Sequence, residues 1–516
     1  MSETLGRGRV MLIAPELPER TYPGRPSIYY LGPHLRDAGF EVLYRDASFQ
    51  HWRSDLQDFQ PDVVGCGALS VQINEAIDVL KESKRLCPET VTVIGGNHAT
   101  MAGQYLFPIH SGYLDAVVVG PGQRTIVAVA DATVSGRWES GRGEIPGLMF
   151  WDGERVVETK PAEQIPADGY LPDLPYHPTY DFSVLGVGGK TPRTFQMMTC
   201  QGCLDACYFC ENSAKRRCER RMSIPVAEAF IRRASVLGYE AVYFDDDTLT
   251  RDRDHVLALS RICRQNDMVF GGHTRPDCED PGLIRQMADD GCRYMFSGLE
   301  SRVPAILLAA HKTDEPAGYI EAYRLSFAVK KEVGISDSAF MIHGMPRLEA
   351  SAAGREYNPD TLEDSKCSIE FAIWELDPNY LSMNVLRFLP GTPFSASPLF
   401  ESMRPVVGPL HGGYFDRKWC EANGVENPCG THLMLRAYEG RLSPVPVHMT
   451  PQRCYDILTF TIEEVNRKNR LPGRNQTRIV VDPWFEQHFM DVVVQVGRVV
   501  HQLAPFDVID RASRKV

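Results

Sequence analysis

The chain has 516 residues, and its 55 Lys and Arg against 67 Asp and Glu give a formal net charge of −12. With 43% hydrophobic and 24% charged residues, the composition is that of a folded protein and excludes collagen-like and disordered chains. The acidic balance also argues against a dedicated nucleic-acid binder, which needs a broad basic face. At roughly 150 residues per domain, the length predicts about three or four domains.

The sequence has no apolar run that approaches the roughly 18 residues needed to cross a bilayer. An apolar stretch near the N-terminus, residues 10–14, is short and is followed by Pro15, unlike a secretory signal. We therefore expect a cytoplasmic protein without a membrane or nucleic-acid partner.

Residues 9–151 alternate between short apolar runs and segments of helical length, such as 29–38 and 73–87. This alternation predicts a doubly wound, Rossmann-like parallel sheet. The predicted strands are residues 10–13, 41–44, 62–65, 91–94 and 116–119.

Ligands of doubly wound sheets bind at the carboxyl ends of the strands, where glycine lets the backbone approach a bulky ligand closely. A single glycine after a strand more often marks a plain turn, but here the signal recurs along one edge. The candidate ligand-binding residues at this edge are Ser70, Gly95, Gly96, Gly120, Gly122 and Gln123.

A proline-rich segment, residues 160–188, predicts a connector rather than a helix or a central strand. Beyond it, residues 194–388 again alternate, with one helix expected to begin at Ser223 ahead of Pro225. Six βα units predict an incomplete TIM-type barrel, whose chemistry lies in the loops that follow the strands. The predicted strands are residues 195–199, 241–245, 268–272, 294–298, 338–342 and 381–388.

The loop after the first barrel strand carries Cys200, Cys203, Cys207 and Cys210. Four thiolates suit a tetrahedral zinc site, but the cysteine pairs of such sites usually stand about 12 to 20 residues apart. Alternatively, the last three cysteines bind three irons of a four-iron cluster and leave the fourth iron open. The position of the loop favours the cluster, and 14 cysteines in this length fit a metal site in a reducing compartment better than a disulfide framework.

The C-x3-C-x2-C spacing, with the aromatic Phe209 before the last cysteine, resembles the signature of the radical S-adenosylmethionine enzymes. The resemblance implies that Cys203, Cys207 and Cys210 are catalytic ligands of a [4Fe-4S] cluster. It also implies that the open iron chelates S-adenosylmethionine, which is cleaved to a deoxyadenosyl radical. Other strand-end segments that resemble this superfamily are residues 244–248, 273–277, 297–301 and 389–393.

Three barrel residues are expected to bind the cofactor together with Phe209. Asp245 and Glu300 offer acceptors for its ammonium and ribose groups, and Arg275 offers a planar fork for its carboxylate. The acidic triplet 245–247 is alternatively a solvated turn. As a ligand of the cofactor, Glu300 is a stronger candidate than the triplet, and Asp246 is a weak candidate within it.

The first domain, placed ahead of the barrel, resembles the cobalamin-binding domain of cobalamin-dependent radical enzymes, and the combined resemblance spans about residues 9–395. It implies a class B radical S-adenosylmethionine methyltransferase-like enzyme. One departure is the lack of a D-x-H-x-x-G motif, since Asp46 is followed by Ala47 and Ser48. His98 and His51 remain as alternative cobalt ligands, and a weak or absent lower ligand suits methyl transfer.

A basic run, residues 215–221, is typical of a solvated face and alternatively contacts an anionic group. In the last part of the chain, residues 451–467 and 484–503 have helical periodicity. Four aromatic residues there are more typical of a core than of a substrate pocket, and two further cysteines are assigned no site. These six residues are Tyr414, Phe415, Trp419, Trp484, Cys420 and Cys429.

The sequence thus predicts a cobalamin-binding domain (1–155), a connector (156–190), a radical S-adenosylmethionine barrel (191–395) and a mainly helical substrate or capping region (396–516). The resemblance implies methylation of an unactivated carbon or a phosphorus of a natural-product intermediate, as in antibiotic biosynthesis, via methylcobalamin and a deoxyadenosyl radical. It also implies an external one-electron reductant of the flavodoxin or ferredoxin type. The alternatives are a cobalamin-dependent radical cyclase or rearrangement enzyme and a non-catalytic zinc or iron–sulfur protein.

Overall fold

A computed structural model describes residues 7–16, 26–48, 50–69, 72–174, 183–186, 190–214, 219–351, 354–389, 391–403, 410–411, 414–415, 446 and 448–481. The chain divides into two units, residues 1–180 with 408–432 and residues 181–407 with 433–516. The division falls inside the predicted connector. Ser70, Trp419, Trp484, Cys420, Cys429 and the helix predicted over 484–503 lie outside the described residues.

The first unit is built on a seven-stranded sheet in the order β2-β1-β3-β4-β5-β6-β7. Strands β1 to β5 are parallel, whereas β6 and β7 continue the sheet antiparallel. The strands are β1 (Arg9–Ala14), β2 (Glu41–Asp46), β3 (Val63–Gly67), β4 (Val91–Gly95), β5 (Ala116–Val118), β6 (Leu148–Trp151) and β7 (Val156–Glu158).

Helices cover both faces of this sheet. Met11 and Ile13 of β1 join one buried cluster, and Val10 and Leu12 join another. Because both faces are buried, the parallel strands are continuous apolar runs rather than alternating ones. The helices are α1 (Gly32–Asp37), α2 (Trp52–Phe59), α3 (Ile73–Leu86), α4 (Asn97–Ala102), α5 (Phe107–His110), α6 (Gln123–Val134) and α7 (Trp138–Gly141).

The second unit contains a seven-stranded parallel sheet in the order β20-β17-β14-β13-β12-β11-β8. Its six predicted strands are confirmed. The strands of the second unit are β8 (Thr194–Met197), β9 (Cys200–Gln201), β10 (Arg220–Arg221), β11 (Ala241–Phe244), β12 (Val269–Thr274), β13 (Cys292–Glu300), β14 (Ser336–His343), β15 (Arg347–Ser351), β16 (Gly354–Asn358), β17 (Tyr380–Val385) and β20 (Arg478–Val481). The short strands β18 (Leu410–His411) and β19 (Tyr414–Phe415) belong to the first unit.

Helices of the second unit pack on one face of this sheet. Ala339 and Met341 of β14 share a buried cluster with Tyr323 and Ile369 from two of these helices. The helices are α8 (Ile224–Val236), α9 (Arg253–Gln265), α10 (Pro281–Asp289), α11 (Pro304–Ala309), α12 (Pro316–Val333), α13 (Leu362–Glu370), α14 (Pro393–Ala396) and α15 (Pro451–Asn469). No helix in the described part of the chain is long and apolar enough to cross a membrane.

The C-terminal region adds a seventh strand that the sequence analysis did not predict. Strand β20 pairs in parallel with β17, and Tyr380 lies opposite Arg478. The buried Lys468 of α15 donates to Asp377 at 2.7 Å and to the carbonyl of Asn475 at 2.7 Å. Part of the region predicted as mainly helical therefore completes the barrel sheet.

Candidate functional site

The cysteine loop follows β8 and places three thiols near one another. Cys207 is buried, whereas Cys203 and Cys210 are half-buried. Burial is the largest cause that raises the pKa of Cys210 to about 12, and the neighbouring thiols of Cys207 and Cys203 also raise it. Thiols that influence one another in this way ionise poorly until a positive metal compensates their charge.

The loop offers three neighbouring thiols to a metal centre. Among the described residues, no group of three or more His, Cys, Asp or Glu side chains is arranged to hold one metal ion. A structural zinc site takes four ligands, whereas three thiols can supply three ligands of a four-iron cluster.

Cys200 is built into a strand instead of the loop. It pairs with Arg221 across β9 and β10, and its backbone N–H donates to Asp246 at 2.9 Å. Burial, followed by the charges of Asp246 and Glu219, raises the pKa of Cys200 to about 12. These contacts give Cys200 a structural role.

Two residues of the acidic triplet after β11 accept hydrogen bonds from the two ends of the cysteine loop. Asp246 is buried and accepts hydrogen bonds from the backbone N–H and hydroxyl of Thr199 at 2.5 and 2.6 Å. Asp247 accepts a hydrogen bond from Asn212 at 2.6 Å, just beyond Cys210. The half-buried Asp245 has no hydrogen bond or ion pair to its carboxylate within the described residues. Of the three, Asp245 is the carboxylate open to a ligand.

Arg275, at the end of β12, faces the cysteine loop. Its Nε and Nη2 donate to Asp277 at 3.0 and 2.8 Å, and its Nη1 lies 3.8 Å from the Cys207 sulfur. The fork that the sequence analysis assigned to a cofactor carboxylate is therefore occupied by Asp277. The guanidinium places positive charge beside Cys207, and Asp205 of the loop lies 3.4 Å from Nη1.

Glu300 ends β13 in a conformation that few side chains adopt. Its φ of 62° is left-handed, which is strained for a residue with a Cβ. Its Oε1 accepts from the buried Lys312 at 3.0 Å, and its buried Oε2 has no hydrogen-bond partner among the described residues. A Cβ on Gly298 would lie 2.6 Å from Oε1, so a side chain at this position would displace the Glu300 carboxylate. A buried carboxylate oxygen without a donor is costly, and a bound ligand can supply the donor.

Aromatic side chains flank the cysteine loop. Tyr208 stacks on the exposed His311, with ring centroids 3.9 Å apart. Phe209 packs against a buried cluster that includes Phe394 and Phe400, and the Lys312 ammonium lies 6.0 Å from the centre of its ring. Burial acts to lower the pKa of Lys312, but Tyr319, Glu300 and Cys207 raise it above its ordinary value. Lys312 is therefore a buried cation between Glu300 and the loop.

The carboxyl edge of the first sheet holds the other predicted ligand-binding residues. Gly95 ends β4, and Gly96 follows with a φ of 93°; a Cβ there would lie 2.7 Å from the Ala68 carbonyl oxygen. The backbone N–H of Gly120 donates to Thr100 at 3.1 Å, and Gly122 precedes α6. These residues lie at the carboxyl edge of the sheet, where helices α4 and α6 begin.

Gln123, the first residue of α6, carries a buried side-chain oxygen that has no partner within the described part of the chain. An amide oxygen without a donor at a ligand-binding edge is the kind of group that a polar ligand satisfies. His98 is fully buried in α4, and burial lowers its pKa to about 3. His51 is exposed.

Comparisons with known proteins agree with this geometry. Residues 25–130 match the family model of the B12 binding domain. A solved structure of the radical S-adenosylmethionine methyltransferase TsrM from Kitasatospora setae, with cobalamin and a [4Fe-4S] cluster bound, superposes with a TM-score of 0.65 at 17% identity. The match covers 96% of this chain and all (100%) of that one.

The chain has the fold of the cobalamin-dependent radical S-adenosylmethionine enzymes. The predicted fold class and family resemblance are thereby confirmed. Among curated proteins, an uncharacterized methyltransferase of Pyrococcus horikoshii is 27% identical over 357 residues, which cover 68% of this chain and 72% of the relative. The cytidylyl-2-hydroxyethylphosphonate methyltransferase of Streptomyces wedmorensis is 24% identical over 433 residues, which cover 72% and 78%.

For a radical S-adenosylmethionine fold, the donor sets fit the implied cofactors. Cys203, Cys207 and Cys210 supply soft thiolates for iron, and the unpartnered oxygen of Glu300 suits a cationic or hydroxyl-bearing ligand. On the other unit, the tight glycine edge and the Gln123 oxygen suit a bulky ligand with amide groups.

Sequence reasoning missed several residues of this site. Lys312 pairs with Glu300, and Asp277 and Asp205 pair with Arg275. Residue spacing along the chain does not reveal these contacts. One available signal was a lysine three residues beyond the end of α11 at Ala309. In the basic run, residues 215–218 lie outside the described residues, whereas Arg220 donates to Gln201 and Arg221 pairs with Glu219.

Proposed function

We propose that this chain is a cobalamin-dependent radical S-adenosylmethionine methyltransferase whose cluster is held by Cys203, Cys207 and Cys210. The observation that carries the proposal is the set of three neighbouring thiols after the first strand of the parallel sheet, in a chain whose residues 25–130 match the B12 binding domain. Cys200 stands apart from these thiols, in keeping with three ligands instead of four.

When bound, the cluster and S-adenosylmethionine supply a carbon-centred radical that removes a hydrogen atom, and cobalamin supplies a methyl group. The chain's own residues hold these groups in place. Asp246 and Asp247 fix the ends of the cysteine loop, and Arg275 places positive charge 3.8 Å from the Cys207 sulfur. That charge favours the thiolate, which is the form that binds iron.

Glu300 and Lys312 orient the other end of the S-adenosylmethionine site. The Lys312 ammonium holds one oxygen of Glu300 at 3.0 Å, so the second oxygen is kept in a fixed direction. A preorganised acceptor of this kind binds a donor without first rearranging. Asp245 offers a second acceptor, and Phe209 supplies an apolar wall beside the loop.

The substrate proposed is a small natural-product intermediate, methylated at an unactivated carbon or at phosphorus. Support comes from the names of similar proteins: the Streptomyces wedmorensis relative is named for a phosphonate, and TsrM has been solved with a tryptophan substrate. Unactivated carbon is too poor a nucleophile to attack a sulfonium directly, which explains why two cofactors are needed.

A cytoplasmic location and an external one-electron reductant of the flavodoxin or ferredoxin type belong to the same proposal. The described cysteines are free thiols, and thiols persist in reducing compartments. The cluster needs an electron for each cleavage, which an external carrier of this type supplies.

The test is anaerobic reconstitution with iron, sulfide, cobalamin and methyl-labelled S-adenosylmethionine, followed by quantitation of deoxyadenosine and S-adenosylhomocysteine. We expect both products, and we expect labelled methyl on the bound corrinoid or on the substrate. Deoxyadenosine without S-adenosylhomocysteine favours the cyclase or rearrangement alternative. Zinc in place of iron, or failure to retain a corrinoid, contradicts the proposal.

A further inference from the structure

The cysteine loop carries a carboxylate of its own between two of its thiols. Asp205 lies two residues after Cys203 and two residues before Cys207. Its backbone N–H donates to the Cys203 sulfur at 3.4 Å, and its Oδ2 accepts from the same thiol at 3.4 Å. When Cys203 ionises to bind iron, a carboxylate at this distance repels the thiolate. The loop therefore needs a positive charge beside Asp205.

Arg251 supplies that charge from the neighbouring loop. It ends the short turn Leu249–Arg251, which follows β11. The turn is fixed in place, because Thr250 is buried and its hydroxyl shares a 2.6 Å hydrogen bond with the hydroxyl of Thr274 in β12. From this turn the guanidinium donates to Asp205 Oδ2. The side chain of Arg251 is 25% exposed and that of Asp205 is 22% exposed, so solvent ions screen the pair only in part.

A second arginine reaches the same carboxylate. Arg275 Nη1 lies 3.4 Å from Asp205 Oδ2 and 3.8 Å from the Cys207 sulfur. Arg275 is also held by two hydrogen bonds to Asp277. The second carboxylate near Arg251, by contrast, lies 3.9 Å from its Nε. Arg251 is therefore the arginine that depends on Asp205 for its place.

Arg251 lies close enough to the loop for its charge to act on the thiols. Burial acts to lower the pKa of Arg251. Cys278, Asp205 and Cys203 nevertheless raise it above its ordinary value. The guanidinium stays protonated, so it is a fixed positive charge near Cys203. An iron–sulfur centre gains one negative charge on reduction, so a fixed positive charge favours its reduced form and a fixed negative charge opposes it.

We propose that Arg251 is a positioning residue of the cluster loop and that the Asp205–Arg251 ion pair sets the reduction potential of the cluster. This inference rests on the proposed function and adds a residue to it. Asp205 anchors Arg251 at the loop, and Arg251 offsets the carboxylate that lies beside Cys203. The two charges act in opposite directions, since Arg251 raises the potential and Asp205 lowers it.

Substitution of each partner in turn tests the proposal. The full chain is reconstituted anaerobically, and a redox titration of its cluster is followed by electron paramagnetic resonance. We expect Arg251→Met to lower the reduction potential by about 59 mV, a tenfold change in the ratio of reduced to oxidised cluster at a fixed solution potential. We expect Asp205→Asn to raise it by a similar amount. A purely structural pair would shift both variants in the same direction, because both lose the same contact.

Two further variants are controls. Arg251→Lys keeps the positive charge, so its reduction potential should stay closer to that of the unchanged chain than the potential of Arg251→Met does. The matched control is Arg253→Met, which removes an arginine two positions along the chain. The side chain of Arg253 is 48% exposed and pairs with the exposed Asp280, and salt screens exposed charges. The ratio of reduced to oxidised cluster should therefore stay within twofold of the unchanged chain.

Iron, sulfide and the reduction potential are measured on the same samples. A full cluster whose potential is unchanged in Arg251→Met and Asp205→Asn, or moves in the same direction in both, overturns this inference and leaves the proposed function standing. If Arg251→Met does not fold, Asp205→Asn decides, and the absence of a rise in its potential overturns the inference. An unchanged chain that holds no iron and sulfide contradicts the proposed function and this inference together.

Discussion

At the scale of single residues, the site combines a strained backbone with unsatisfied polar atoms. Glu300 has a φ of 62°. Neither its buried Oε2 nor the buried side-chain oxygen of Gln123 has a donor among the residues that the structure describes. Each such feature costs free energy of folding, on the order of 1–3 kcal/mol. The binding free energy of a ligand can offset such costs. The sequence analysis selected both residues as ligand contacts.

Cys207→Ala and Cys200→Ala should separate cluster ligation from structural packing. Cys207→Ala removes one of the three loop thiols, so we expect iron and sulfide content after reconstitution to fall to background. Cys200→Ala is its matched control, because Cys200 is a strand residue held by Asp246, and we expect its iron content to persist. Equal loss of iron in both variants would contradict three-cysteine ligation.

Asp246 should make stability depend on pH. Burial is the main cause that raises its pKa to about 7 from 3.8. As pH rises from about 4 to about 7, the unfolded carboxyl ionises while the folded one stays protonated. The free energy of unfolding therefore falls over this window, by on the order of a few kcal/mol.

Asp246→Asn imitates the protonated side chain and cannot ionise. In cofactor-free protein, we expect the variant to gain stability relative to the unchanged chain as pH rises from 4 to 7. Urea unfolding at four pH values across this window measures the difference. Parallel pH profiles of the two proteins would show that Asp246 is ionised in the folded state.

At the scale of helices and strands, the sequence predicted most of the second sheet because each strand is a local apolar run followed by an amphipathic helix. Strand β20 was not predicted, because its four residues are held in the sheet by pairing with β17, which lies almost a hundred residues earlier in the chain. The grouping of the three cysteines in one loop was predictable from the sequence, and their role as cluster ligands remains a prediction. Lys312 and the Asp277 partner of Arg275 were not, because they depend on contacts between loops of different strands.

Lys468→Met should loosen β20. Lys468 is fully buried and donates to Asp377 at 2.7 Å, so its loss leaves a buried carboxylate with fewer partners. We expect a loss of about 3–5 kcal/mol in the free energy of unfolding, together with faster hydrogen exchange in residues 478–481.

Lys331→Met is the matched control for Lys468→Met. Lys331 pairs with the same Asp377, but its side chain is 39% exposed, and exposed pairs contribute less than about 1 kcal/mol. A larger loss for Lys331→Met than for Lys468→Met would mean that β20 does not depend on the buried ammonium.

At the scale of the whole molecule, each unit has its own core and its own expected cofactor. The B12 binding domain match ends at residue 130, within the first unit, whereas the cysteine loop belongs to the second. The order of the segments was predictable because both motifs are local. The predicted boundaries at residues 155, 190 and 395 remain predictions.

Hydroxocobalamin should stabilise the first unit selectively. A ligand at about a hundred times its dissociation constant adds about 2.7 kcal/mol to the state that binds it. We expect hydrogen exchange to slow in peptides from β3 to α6 when cofactor-free protein is given hydroxocobalamin. Peptides from β12 to β14 in the same sample are the internal control. Protection confined to those control peptides would place the corrinoid on the other unit.

Leu185 is buried against Gly271, where an added Cβ would lie 2.8 Å from its side chain. Leu185→Ala should therefore leave a void beside the sheet of the second unit and lower the free energy of unfolding by about 2–5 kcal/mol. Urea unfolding of the variant beside the unchanged chain measures this loss.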